Sequence, residues 1–141
     1  MRRLLAAAAA AAAAVAIAVA MPAATSAQVP ITGYSLEAWC VGGFAGRWDK
    51  ARIASDGAIS ATNSAIQPTP WPVVASEPIL AGDWIGRAIA AEAQAIDNGT
   101  PVYRDGINCG LDLYHPDGSK TPCSLIDIFE GLIGYVPPRG F

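Results

Sequence analysis

An uncharged apolar run near the amino end decides which part of the chain has to fold. Arg2 and Arg3 precede the run, and residues 4–20 carry no charged side chain. A basic segment, an apolar run and then small residues ending at Ala27 is the order typical of a secretory signal peptide. We therefore predict cleavage after Ala27, so that residues 28–141 form the mature, exported protein.

The alternative for the same run is a permanent membrane anchor, because its length approaches the roughly 20 apolar residues that span a bilayer. Most of residues 4–20 are alanine, however, which is only weakly apolar and favours the cleaved signal. We expect no stable membrane anchor and a secreted or periplasmic location. The alanine-rich signal is typical of bacteria.

Charge excludes two classes of partner for residues 28–141. This part of the chain has 7 basic and 12 acidic residues, a net charge of −5. Nucleic acids and anionic membranes attract basic surfaces, so neither is an expected partner. The length fits one domain with its own hydrophobic core.

All three cysteines lie in the mature part, where export favours disulfide formation. Residues 107–115 alternate between apolar and polar and end at a Pro-Asp-Gly turn, residues 116–118, after which the chain reverses. This reversal brings Cys123 close to Cys109, and we predict a Cys109–Cys123 disulfide. Cys40 is then either a buried thiol or the partner in a rival pairing.

Turn residues and periodicity predict an antiparallel sheet. Asp56-Gly57 is a hairpin signal, whereas the prolines within residues 63–74 indicate a surface loop with Trp71 held against the body. The predicted strands are residues 34–41, 47–55, 58–62, 102–104 and 107–114.

Two helices complete the prediction. Ser76 can cap a long amphipathic helix over residues 76–98, and a short apolar helix covers residues 124–133. Residues 135–141 read as an extended tail. The fold class is therefore α+β, with a small antiparallel sheet packed against one long and one short C-terminal helix.

Catalytic and metal-binding residues are scarce. His115 is the only histidine, and its place beside a turn predicts a solvated residue rather than a general base. No pair of cysteines or histidines has the spacing of a zinc site, and no calcium-loop pattern occurs. We expect neither an enzyme nor a cofactor or metal.

Aromatic residues surround a glycine-rich segment after the first strand. Glycines allow a partner's backbone to approach, and aromatic side chains offer a large contact area at low entropic cost. The alternative is a tight connection between strands whose aromatics cover the core. The candidate binding residues are Gly42, Gly43, Phe44, Ala45, Gly46, Arg47 and Trp48.

The Gly-Gly-Phe-Ala-Gly motif at residues 42–46 resembles the emfourin family, small bacterial inhibitors of thermolysin-like metallopeptidases. The resemblance implies an inhibitor that presents residues 42–48 to an extracellular or periplasmic peptidase. This chain departs from the family pattern in its signal peptide, its cysteines and its proline-rich loop. The alternative is a non-inhibitory envelope or secreted protein that binds another exported protein or a surface polymer.

Overall fold

The computed structural model of the chain describes residues 30–43, 46–66, 69–94 and 107–138. Five predictions lie outside these ranges. They are the signal peptide, Phe44 and Ala45 of the glycine motif, the end of the long helix, the strand at residues 102–104 and the last three residues of the tail.

The described residues form one antiparallel sheet with two helices, in agreement with the predicted α+β class. The strand order is β4-β3-β2-β1-β5-β6, so the first strand is central and the sheet is larger than predicted. The strands are β1 Ser35–Gly42, β2 Arg47–Ala54, β3 Ala58–Asn63, β4 Val73–Ser76, β5 Ile107–Tyr114 and β6 Lys120–Cys123. The helices are α1 Pro78–Ala93 and α2 Ile126–Ile133.

Alternation along the strands puts one face of the sheet into the hydrophobic core. In β1 the residues Leu36 and Ala38 are fully buried, and the ladders place their partners from β2 and β5 beside them on the same face. Both helices lie on this face. The core residues are Leu36, Ala38, Ala51, Ile53, Ile59, Ala61, Ala81, Ile85, Ala88, Cys109, Leu111, Leu113, Cys123, Ile128, Phe129 and Leu132.

The start of α1 differs from the prediction. Ser76 is the last residue of β4, where it pairs with Ala58, and Glu77 occupies the N-cap position before Pro78. The backbone N–H of Glu77 donates to the carbonyl of Gly57, 2.8 Å away. Pairing with β3 therefore holds Ser76 in an extended conformation, and the helix begins two residues later than predicted.

The predicted loop over residues 63–74 is shorter than expected. Asn63 ends β3, and Val73 already begins the edge strand β4. Pro72 contributes to this pairing, since its carbonyl accepts from the N–H of Ala61 at 3.2 Å. A proline can sit at such a position because an edge strand needs fewer N–H donors.

Side chains, rather than a described helix, cover the other face of the sheet. Arg52 forms an ion pair with Glu37, and its guanidinium lies 4.7 Å from the ring centroid of Tyr114 and 5.5 Å from that of Trp71. The Glu37 side chain is only 7% exposed, and its carboxylate is paired. Trp71 is held against the body, as predicted.

Trp39 closes the neighbouring part of this outer face. Its ring lies over Gly110, where a Cβ atom would come within 2.6 Å of the indole. The indole N–H donates to Asp112 at 2.9 Å, and Lys120 is 3.8 Å from the same carboxylate. Burial nevertheless raises the pKa of Asp112 above its ordinary value.

Candidate functional site

The disulfide joins Cys40 to Cys109, and the predicted Cys109–Cys123 bridge is wrong. Cys40 and Cys109 are directly opposite in the β1–β5 ladder, with Cα atoms 4.0 Å apart. After the turn, Cys123 instead stands opposite Leu111, two positions out of register with Cys109. Cys123 is a buried thiol, and burial raises its pKa. Of the roles predicted for Cys40, the rival pairing is confirmed.

The three glycines of the motif, Gly42, Gly43 and Gly46, lie where the chain passes from β1 to β2. Gly42, Gly43 and Gly46 have φ angles of 118°, 80° and 60°, a region that side chains rarely enter. The N–H of Gly46 donates to the carbonyl of Gly43 at 3.2 Å, which closes the turn. Glycines at these positions are therefore explained by the reversal itself.

Arg47 and Trp48 leave this connection on opposite faces of β2. Arg47 is exposed and points to the face that carries the helices. Trp48 is half-buried on the outer face, where the Lys50 ammonium lies 5.8 Å from its ring centroid. The predicted binding residues therefore divide between two surfaces.

Strands longer than the covering helix leave a pocket beside the hairpin. Each of β1, β2 and β5 has eight residues and is about 27 Å long, whereas the eight residues of α2 extend over about 12 Å. The fully buried part of the core ends at the level of Ala38, and at the next level Cys109 is still buried whereas Cys40 and Asp49 are half-buried. Two further levels of the same face line a pocket of about 490 Å³: Cys40 with Asp49 and Cys109, then Arg47 with Ile107.

This cavity, named the hairpin pocket, has mostly apolar walls and also carries charged side chains. The disulfide, Ile107 and two α2 side chains supply the apolar surface, and three charged side chains join them. Its volume falls within the range typical of ligand sites. The lining residues are Cys40, Arg47, Asp49, Ile107, Cys109, Phe129, Glu130 and Ile133.

Sequence reasoning found only part of this pocket. Arg47 was among the predicted binding residues, and the two cysteines were singled out for another reason. Asp49 carried a usable signal, because it shares its parity along β2 with the buried Ala51 and Ile53. Glu130 carried none, since its place depends on where α2 packs.

His115 lies in a separate polar cluster between α1 and the β5–β6 turn. Its Nε2 is 2.9 Å from both carboxylate oxygens of Glu92, and its Nδ1 is 3.1 Å from the carbonyl oxygen of Ser119. Thr121 donates its hydroxyl to Glu92 at 2.9 Å. These contacts attach the end of α1 to the turn.

The acceptors around His115 fix its protonation. Both ring nitrogens lie within hydrogen-bond distance of oxygen acceptors, an arrangement that favours the protonated ring. The hydrogen bond with Glu92 raises the pKa of His115 and lowers that of Glu92. The Ser119 hydroxyl donates to Asp117 at 2.6 Å. When protonated, the ring has no lone pair for the Ser119 hydroxyl, whose oxygen lies 3.3 Å from Nδ1, and its contacts with Glu92 form a structural clamp between α1 and the turn.

The described ranges offer neither a metal-binding cluster nor a membrane-spanning helix. Among those residues, no group of three or more histidine, cysteine, aspartate or glutamate side chains could hold a metal ion. Within the same part of the chain, no helix has the length and apolar character needed to cross a membrane.

Comparison of the chain with protein-family models, with curated proteins and with solved structures found no match.

Proposed function

We propose that this protein is an exported binding protein that attaches to a partner protein through the β1–β2 connection and the adjoining hairpin pocket. The observation that carries the proposal is the end of the core face that the described residues leave uncovered. There the apolar surface of Ile107, Phe129 and Ile133 opens beside the exposed Arg47. An apolar pocket with a few polar groups is the usual form of a recognition site.

The proposed partner is an extracellular or periplasmic peptidase, and the protein is its inhibitor. The support is the resemblance of residues 42–46 to the emfourin motif, together with the predicted export. The Cys40–Cys109 disulfide is in keeping with an oxidising compartment. Binding of this kind requires no cofactor.

Inhibition assays test the proposal directly. The protein purified from periplasm or culture medium is titrated against thermolysin-like and papain-like peptidases up to about 100 μM, a concentration far above ordinary specific dissociation constants. We expect inhibition of at least one enzyme at low micromolar concentration or below. Absence of inhibition across the panel would reject the peptidase as partner.

A pair of variants tests whether the hairpin pocket makes the contact. Arg47→Ala removes a charge at the pocket, and we expect at least tenfold weaker inhibition, because a buried interfacial charge contact is worth more than about 1.4 kcal/mol. Arg87→Ala is the matched control, since Arg87 lies on α1 and pairs with Asp127 at 2.9 Å. Equal losses from both variants would place the contact elsewhere.

The second candidate is a non-inhibitory protein that binds a surface polymer or another exported protein. The outer face favours it, because Trp39, Trp48 and Trp71 lie there, half-buried, with Lys50 and Arg52. Flat rings and polar side chains together can bind sugar chains. Co-sedimentation with insoluble envelope polysaccharide that is lost in Trp48→Ala, without peptidase inhibition, would favour this candidate over the inhibitor.

A further inference from the structure

The outer face of the sheet carries a second pocket, next to the loop that joins β3 to β4. Its floor is Arg52 and Ser60, which lie directly opposite each other in the β2–β3 ladder. Both alternate along their strands with buried core residues, so their side chains leave the sheet on the outer face. Thr69, Pro70 and Trp71 of the loop form the wall, and the volume is about 290 Å³. We name this cavity the loop pocket.

Hydrogen-bonding groups of the loop pocket are available to a ligand. Arg52 uses its Nε and Nη2 to bind Glu37, and its Nη1 has no acceptor among the described residues. Within the same ranges, the hydroxyls of Ser60 and Thr69 and the indole N–H of Trp71 have no hydrogen-bond partner either. The guanidinium and the indole only donate, whereas hydroxyls both donate and accept. The pocket therefore suits a ligand with several oxygen atoms.

The neighbours of Arg52 limit the chemistry of that ligand. The Glu37 carboxylate already balances the guanidinium charge, and an anion beside Arg52 would be repelled by that carboxylate. Pro70 and the ring of Trp71 add apolar surface, which an inorganic anion would leave uncovered. A purely apolar ligand would take water from the guanidinium and the hydroxyls without replacing its hydrogen bonds, which costs free energy. The complementary ligand is a compact ring with apolar C–H groups and several hydroxyls.

We infer that the loop pocket binds one neutral sugar ring, a pyranose unit. The inference rests on the second candidate function, binding of a surface polymer, and narrows it to one site and one class of ligand. The C–H groups of the sugar pack against Trp71, and its hydroxyls bind the side chains of Arg52, Ser60 and Thr69. The volume lies near the lower end of the range of ligand sites, which fits a single ring.

Titration with monosaccharides tests the inference without a polymer or a peptidase. The isotope-labelled full protein, purified after export, is titrated with the methyl glycosides of glucose, galactose and mannose while its amide and indole resonances are followed by NMR. We expect at least one glycoside to shift the resonances of Ser60, Thr69 and Trp71, with a dissociation constant of about 1–30 mM for so few atoms. That glycoside should bind at least fivefold more tightly than sulfate, the anion probe, or cyclohexanol, the apolar probe.

Two pocket variants and one control show whether the named side chains make the contact. Thr69→Val removes a hydroxyl from an exposed residue at nearly constant volume, so the fold should be kept and glycoside binding weakened at least threefold. Trp71→Ala removes the aromatic wall and should abolish measurable binding. Ser76→Ala is the matched control, because Ser76 has an exposed hydroxyl on β4 outside the pocket, and it should leave binding unchanged.

Three results would overturn the inference. The first is that no glycoside shifts the pocket resonances, and the second is that sulfate or cyclohexanol binds as tightly as the best glycoside. The third is an unchanged dissociation constant in Thr69→Val, which remains informative even if Trp71→Ala does not fold.

The sugar site and the polymer-binding function can fail separately. Co-sedimentation with polysaccharide without glycoside binding at the loop pocket would reject this site and keep the polymer as a partner. Glycoside binding at the loop pocket without co-sedimentation would support the site and reject the tested polymer as its source of sugar.

Discussion

Removal of the Cys40–Cys109 disulfide should cost a large part of the folding free energy. The bond joins residues 69 positions apart, so it strongly limits the unfolded chain. The loop-closure relation gives about 4 kcal/mol for a loop of this length. A domain of ordinary stability, about 5–15 kcal/mol, would become marginal or unfold.

Urea denaturation followed by tryptophan fluorescence measures this loss. With a slope of about 1.5 kcal/mol per molar urea, the double variant Cys40→Ala/Cys109→Ala should unfold at a midpoint about 3 M lower than the unmodified protein. Reductant should lower the midpoint of the unmodified protein and leave that of the double variant unchanged. Trp39 and Trp84 both contact residues of the sheet or core, so fluorescence reports the transition.

Cys123 provides the control that can refute the assignment. Cys123→Ala keeps the disulfide and removes only a small buried group, with an expected cost of about 1 kcal/mol. Its midpoint should still fall when reductant is added. If Cys123→Ala abolished this sensitivity and Cys40→Ala preserved it, the bond would join Cys109 to Cys123 and the register argument would be wrong.

The His115–Glu92 clamp and the β2–β3 turn allow further predictions. The pKa of His115 is raised above 6.5, so its stabilisation is complete below pH 6.5 and is lost as pH rises through the folded pKa. The pKa of Glu92 is lowered below 4.5, so its contribution to the free energy of unfolding is present above pH 4.5 and is lost as pH falls further. His115→Gln should therefore lower the free energy of unfolding most between pH 4.5 and 6.5, by about 1 kcal/mol or less in urea titrations. Gly57→Ala should cost several kcal/mol in thermal unfolding, because φ is 95° and a Cβ would overlap the Pro78 backbone, whereas Gly118→Ala, with φ 89° in open space, should cost about 1–2 kcal/mol. Equal losses from the two glycine variants, or a pH-independent effect of His115→Gln, would contradict these explanations.

Local patterns predicted the elements that depend on neighbouring residues. Alternation located β1, β2 and β5 almost to the residue, and Asp56-Gly57 gave the β2–β3 turn. The apolar stripes of both helices were also found. Strand alternation and helical periodicity each relate residues that are only a few positions apart, and the side-chain directions of such residues follow from strand or helix geometry.

Features that depend on the order of strands were not available from such patterns. The Cys40–Cys109 pairing requires β5 to lie beside β1, and the sequence of residues 107–114 does not indicate which strand is its neighbour. The edge strand β4 has only four residues and follows prolines, so its pairing with β3 gave no periodic signal. These contacts are formed by tertiary packing.

The hairpin pocket escaped prediction for a related reason. It lies beyond the end of α2, which is shorter than the strands that it covers. Residues such as Glu130 and Ile133 have no local mark that assigns them to a site. A helix prediction indicates on which face of α2 these residues lie, but not which strand residues lie beside them in the folded protein.

The central place of β1 in the sheet has a consequence during synthesis. β1 is the first strand along the chain and can pair with β2 at once, but its other edge waits for β5, since 69 positions separate Cys40 from its partner. Until then the growing chain presents an incomplete sheet whose exposed edge can recruit other chains. The Cys40–Cys109 disulfide joins these two strands, so a chain that has formed it has brought β5 to β1 and covered that edge.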